Sequence, residues 1–323
     1  QGQLPFLFKI LAAQDVLSIQ AHPSQAQAQE GFARENALGL PLDAPHRNYR
    51  DPHHKPELIL ALSPFWGVNG FRAPADIHAW IMQLCPRSLG GLAAGLRREP
   101  EAEALKDFYR GLMGLDVGQR REALAEALAH AAPQADQDPV CRWVVEIQRQ
   151  YPQDLGALAP AYLHLVRLEP GEAMYLPAGQ LHAYLQGVGL EIMANSDNVL
   201  RGGLTGKHVE LPELLKVLRF DAAPPRRVPA TPAAAGETVF PTPAAEFLLA
   251  RLEPRPGCDL QAPGERGPEI LLCLEGQARL EVLGDPAGGL RLTPGTAVFV
   301  PAALPPYRLA GDARIYRAGV PAL

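Results

Sequence analysis

The sequence predicts a mainly β protein: two jelly-roll β-barrels, the first interrupted by an inserted α-helical domain. Three observations predict it. Strand-like stretches flank a block of helical patterns, and a further set of short strands follows a Pro/Ala-rich stretch. The third is an internal repeat. Leu168-Glu169-Pro170-Gly171-Glu172-Ala173-Met174-Tyr175-Leu176-Pro177-Ala178 recurs 124 residues later as Leu292-Thr293-Pro294-Gly295-Thr296-Ala297-Val298-Phe299-Val300-Pro301-Ala302, and Leu185 and Gly187 are matched by Leu309 and Gly311. Each copy reads as a Pro-Gly turn, an alternating strand and a closing Pro. Two copies of one antiparallel unit imply two related barrels.

Residues 4–22 read as two strands about a turn near Ala13-Gln14-Asp15, and side chains from Val16 to His22 alternate with period two. A polar loop over 41–56 leads to a third strand, Glu57 to Leu62. These residues, 1–72, form the first part of a barrel. Helical spacing follows around 75–85, 99–114, 119–132 and 139–150, which defines an insertion over 73–150. Leu124, Ala127, Leu128 and Ala131 mark one helix face. Strands return from Leu163 to about 195 and complete the barrel over 151–221. Residues 222–236 read as a tether, and 237–323 as the second, degenerate barrel.

The chain has 323 residues, 47% apolar and 20% charged, so it has a sizeable core and is not disordered as a whole. A net charge of −5 leaves no footprint of nucleic-acid binding, and no apolar run has the length of a membrane span. The four cysteines form no C-x-x-C pair, which points to a reduced, cytoplasmic setting. Lys9, Lys55, Lys106, Lys207 and Lys216 are the lysines among 30 basic residues. Where arginine is so favoured, a retained lysine is informative, because arginine cannot replace a compact amine that must lose a proton.

Gln20 and His22 lie two apart on a strand and share a face. His53-His54-Lys55-Pro56-Glu57 enters the next strand. His182 stands where the second copy of the repeat has Pro306, so it answers to something only the first barrel does. Each alone also has a plain reading: a hydrogen-bonded polar pair, a solvated loop, a structural histidine. Brought together, Gln20, His22, Glu57 and His182 form a sulfur-free ligand set suited to zinc with an open position. A second cluster has Glu191 and Asp197, then Arg201-Gly202-Gly203-Leu204-Thr205-Gly206-Lys207. This is either a surface turn or a phosphate cradle of backbone N–H groups, Thr205 and two cations.

Pro5-Phe6-Leu7-Phe8-Lys9, Leu17 through Pro23, Tyr49 through Glu57, His182-Ala183-Tyr184 and Asn195 through Thr205 together resemble type I mannose-6-phosphate isomerase, a zinc-dependent, cupin-like family. The resemblance covers nearly the whole chain. It implies one zinc ion on Gln20, His22, Glu57 and His182, and a catalytic Arg201. Lys55, His54 and Asp197 would serve ring opening and proton transfer, with Glu191 a further candidate base. Ser18 and Lys207, with Thr205, would meet the phosphate of a sugar phosphate. The implied reaction interconverts mannose 6-phosphate and fructose 6-phosphate through a cis-enediol. Alternatives are another metal-dependent cupin enzyme, dioxygenase-like, or a non-catalytic sugar-binding double cupin. No nucleic-acid or membrane partner is expected, and the chain is expected to act as a monomer. Family members begin several tens of residues earlier, so the opening strands of the first barrel are expected to be missing.

Overall fold

The structure, a computed structural model, describes residues 2–262, 264–285 and 288–321. It is mainly β and antiparallel, with helices packed against one side. The strands of the first unit, two of them buried along their whole length, are β1 Phe6–Ala13, β2 Ile19–Ala21, β3 Glu57–Ala61, β4 Phe65–Phe71, β5 Leu163–Leu168, β6 Ala173–Leu176, β7 His182–Ala194, β8 Leu200–Gly203 and β9 Arg226–Val228. The second unit holds β10 Thr231–Ala234, β11 Glu237–Phe240, β12 Leu248–Leu252, β13 Leu260–Gln261, β14 Glu269–Val282, β15 Gly289–Leu292, β16 Ala297–Val300 and β17 Tyr307–Gly319.

β7 is the spine of the first unit. Its second half pairs with β1 and β3, its first half with β4 and β2. The corner between them is Gly187, at φ 125°, where a Cβ would stand 2.7 Å from the Pro64 carbonyl oxygen. Gly311 does the same in β17, at φ 138° and 2.5 Å from the Gln277 oxygen. The glycine matched in the repeat is therefore a bend that only glycine takes without strain.

The helices expected in the central block are found as α2 Pro74–Leu84, α4 Glu101–Met113, α5 Val117–Ala131 and α6 Pro139–Gln150, with α3 Pro86–Ala94 between the first two. α1 Gln25–Ala37, α7 Ala159–Tyr162 and α8 Leu211–Val217 lie outside that block. On α5, Leu124, Ala127 and Ala131 are buried but Leu128 is exposed, because the buried stripe is narrower than its apolar spacing implied. Leu105, Phe108, Tyr109 and Val144 of the helices share one core with Ile19, Val68 and Phe71 of the first unit. A second core joins the two β-units, with Leu58, Leu60, Leu190 and Ile192 against Phe240, Phe247, Leu249 and Tyr316. Residues 222–236 are not a bare tether: β9 pairs with β6, β10 pairs with β11, and Val228 is buried. Proline-flanked chain is already extended, and it adds to a sheet edge without needing every N–H.

Candidate metal centre

Three strand ends build the centre. His22 follows β2, Glu57 opens β3 and His182 opens β7. Their ligand atoms all lie within 4.8 Å of one another, and all three residues are buried. His22 Nε2 is 3.2 Å from one Glu57 oxygen and His182 Nε2 is 3.5 Å from the other. The opposite ring nitrogens are occupied. His22 Nδ1–H donates to the Asn198 carbonyl at 2.7 Å, and His182 Nδ1–H to the Gln180 carbonyl at 3.1 Å. A carbonyl only accepts, so each Nε2 presents a bare lone pair. His22 Nε2, His182 Nε2 and Glu57 Oε2 are buried and have no hydrogen-bond partner. Lone pairs converging in a dry site are costly unless a cation lies among them, and the set fits zinc. Burial holds the His22 imidazole below its ordinary range. Burial would raise the Glu57 carboxyl, and when the rings are protonated, His22 and then His182 bring it well below the carboxylate range.

Gln20 faces His182 across β2–β7 and Arg201 across β2–β8. Arg201 is half-buried, and burial together with the Arg50 charge lowers its guanidinium below the usual range. Lys55 Nζ stands 3.8 Å from Glu57, with only 11% of its side chain exposed. Glu191 is buried and bonded to Lys9 Nζ at 2.7 Å, and burial raises its carboxyl. β2 and β8 pair Ile19 with Gly203, which sets Ser18 beside the loop that carries Thr205 and Lys207. Lys207 is exposed, and its N–H donates to Thr205 Oγ1.

Two residues named by the resemblance make their contacts away from the His/Glu/His cluster. The His54 ring turns to Glu246 of the second unit, Nε2 to Oε1 at 2.6 Å. Asp197 is exposed, and its backbone N–H donates to Asp51; among the described residues no ion pair joins its carboxylate to the centre.

Several contributors are given no role by the sequence. Asn198 is fully buried, and its amide binds Arg50 N, Asp51 N, Asp51 O and His53 O, clamping the loop before Lys55. Asp154 takes the N–H groups of Gly156 and Leu204, pinning Leu204 at φ 53° where the glycine-rich loop begins. Lys9 has two signals, the scarcity of lysine and its place in the Pro5 to Lys9 motif, and Asn198 lies within the motif from Asn195 to Thr205.

Fold and centre define a cupin-like metalloprotein, antiparallel β with a buried His/Glu/His cluster at the strand ends. A family model described as phosphomannose isomerase type I, catalytic domain, matches residues 1–74. The chain is 39% identical over 319 residues to the mannose-6-phosphate isomerase of Salmonella typhimurium, covering 98% of this chain and 79% of that one. It is also 39% identical over 318 residues to the Escherichia coli enzyme, with coverage of 98% and 79%. The crystal structure of the Salmonella enzyme bound to fructose 6-phosphate and zinc superposes with a TM-score of 0.91 at 38% identity, covering 99% of this chain and 80% of that one. The chain belongs to the mannose-6-phosphate isomerase family.

Proposed function

We propose that this chain interconverts mannose 6-phosphate and fructose 6-phosphate, with one zinc ion held by Gln20, His22, Glu57 and His182. The observation that carries it is the buried, unpartnered His22–Glu57–His182 cluster, in a fold shared with a relative solved with zinc and fructose 6-phosphate. When bound, zinc supplies Lewis acidity toward the sugar oxygens.

The chain's residues do the rest. The substrate's phosphate is met by Ser18, Thr205 and Lys207, and its binding energy orients C1 and C2. Arg201 lies where negative charge develops on the sugar oxygens, and a preorganised cation contributes most there. Lys55 exchanges the proton between C1 and C2. Glu191, kept protonatable by burial and shared with Lys9, serves as a second proton carrier. Asp197 and the His54 loop act at ring opening. All the proposed ligands come from one chain, which supports a monomer as the working unit. The four cysteines are unpaired, in keeping with a reducing cytoplasm.

We also read the two β-units as jelly-roll barrels of common origin, 1–72 with 151–221 and then 237–323, with the helices of 73–150 inserted in the first. The matched Gly187 and Gly311 bends support this. Among the described residues no helix is long and apolar enough to cross a membrane.

The test is a coupled assay of mannose 6-phosphate conversion with chelator, then with zinc restored, in deuterated water. Conversion that chelator abolishes and zinc restores, with solvent deuterium entering C1 or C2, is expected. Conversion indifferent to chelator would overturn the proposal.

A further inference from the structure

We propose that Glu246, on the second β-unit, is a positioning residue for the first unit's centre: by binding the His54 ring it fixes the loop that presents Lys55 to Glu57. This rests on the functional reading above and extends it.

Glu246 lies between β11 and β12, in a segment anchored by Ala244 and Phe247, both buried in the core shared by the two units. Its carboxylate thus stands on a stiff base. Oε1 accepts from His54 Nε2 at 2.6 Å, and Oε2 is buried without a partner. From the other side, His54 N–H donates to Gln25 Oε1, and Gln25 Nε2 donates to the Pro52 carbonyl. Asn198 holds the Asp51 and His53 carbonyls, and the Pro56 carbonyl accepts from Ala194 N–H. Every residue of the loop from Asp51 to Pro56 is therefore tied down except Lys55, whose amine reaches to 3.8 Å from Glu57. Glu246 supplies the tie immediately before it. A cleft of about 420 Å³ lies alongside, lined by His53, His54, Asn195 and Glu246.

The pair is not needed to dock the two units. A hydrophobic core already joins them, and His54 and Glu246 are 30% and 27% exposed, where an ion pair contributes little to stability. Its effect is on geometry, and a misplaced catalytic group costs rate. The second unit therefore contributes to the first unit's chemistry.

Glu246→Ala, Glu246→Gln, His54→Ala and the double alanine variant test this in the full chain with zinc. Glu246→Ala is expected to lower kcat roughly 10-fold, within the range for a group displaced by about 1 Å. KM for mannose 6-phosphate and zinc content should stay near wild type. Glu246→Gln, which keeps a ring acceptor, should recover most of the loss. The double variant should match His54→Ala alone. Hydrogen exchange gives a readout independent of activity: amides of residues 50–56 should exchange faster in Glu246→Ala while the rest of the chain is unchanged. Wild-type exchange in that loop, wild-type kcat, or additive losses in the double variant would overturn the inference. If the wild-type chain itself fails to convert mannose 6-phosphate, the functional reading fails, and loop exchange still decides whether Glu246 positions the loop.

Discussion

The carbonyl oxygen of Asn198 accepts the Nδ1 hydrogen of His22 at 2.7 Å, while the Asn198 side chain clamps residues 50–53. One buried amide residue thus sets the orientation of His22, a proposed metal ligand, and the path of the loop that leads to Lys55. Partners behind a ligand usually matter by ~10–100-fold in metal affinity. Asn198→Ala keeps the carbonyl but removes the clamp, so zinc affinity should fall by about 10-fold, and more if the loop carries the carbonyl away. Competition with a chromogenic chelator measures it. Unchanged affinity would show that the clamp and the ligand are independent.

Ligation and charge stabilisation separate by variant. His182→Ala removes a buried lone pair from the cluster, so zinc occupancy and turnover should fall together while the second β-unit stays folded. Arg201→Ala should retain zinc and lose turnover by roughly 10²–10³, the scale for one preorganised electrostatic group. Metal analysis beside kcat decides; equal loss of both in Arg201→Ala would make that residue structural.

The sequence permits the convergence of His22, Glu57 and His182, and the family resemblance supplies the rest. Period-two alternation fixes the facing of residues 16–22, and the repeat isolates His182 by having Pro306 in its place. Lys9 is half legible: its rarity marks it, but the Glu191 partner appears only when β1 is laid on β7. The roles of Glu246 and Asn198 are not legible. Their contacts span 192 and 148 residues; Glu246 resembles an ordinary surface residue, and Asn198 lies in a motif that does not reveal what its side chain holds. The edge strands β9 and β10 hide in the same way, since proline-rich composition describes a flexible tether and an extended edge equally well.

The helical block carries a pH dependence of its own. Burial would raise the Glu126 carboxyl, but the Ser88 and Arg87 donors at the first turn of α3 pull it down to about 2. The folded value lies below an unfolded value of ~4.3, so this contribution is present above that value and lost as pH falls through about 2. Glu126→Gln should lower stability at neutral pH by on the order of 2 kcal/mol and flatten the dependence of Tm on pH below about 5. Parallel Tm–pH curves for variant and wild type would rule out this carboxylate as the source.

The second unit holds a buried carboxylate at the matched position. Glu57 pairs with Leu176 and Glu269 with Val300, and Leu176 and Val300 are matched positions of the repeat. Glu269 therefore occupies the place of Glu57, and it too is buried. Its neighbours are the Tyr307 hydroxyl at 2.9 Å, Arg317 at 3.4 Å and Arg266 at 3.6 Å. β17 begins at Tyr307 as β7 begins at His182. Two guanidinium groups and a phenol surround this carboxylate, where two imidazoles meet Glu57, so its charge is compensated by protein groups. Removing one partner of a buried charge leaves that charge uncompensated, at a typical cost of 3–5 kcal/mol, less where a second cation remains. Arg317→Ala, with Arg266 left in place, should therefore destabilise the chain by about 2–4 kcal/mol and lower Tm while zinc content holds. Calorimetry with metal analysis tests it, and an unchanged Tm would mean that Arg266 and Tyr307 neutralise Glu269 on their own.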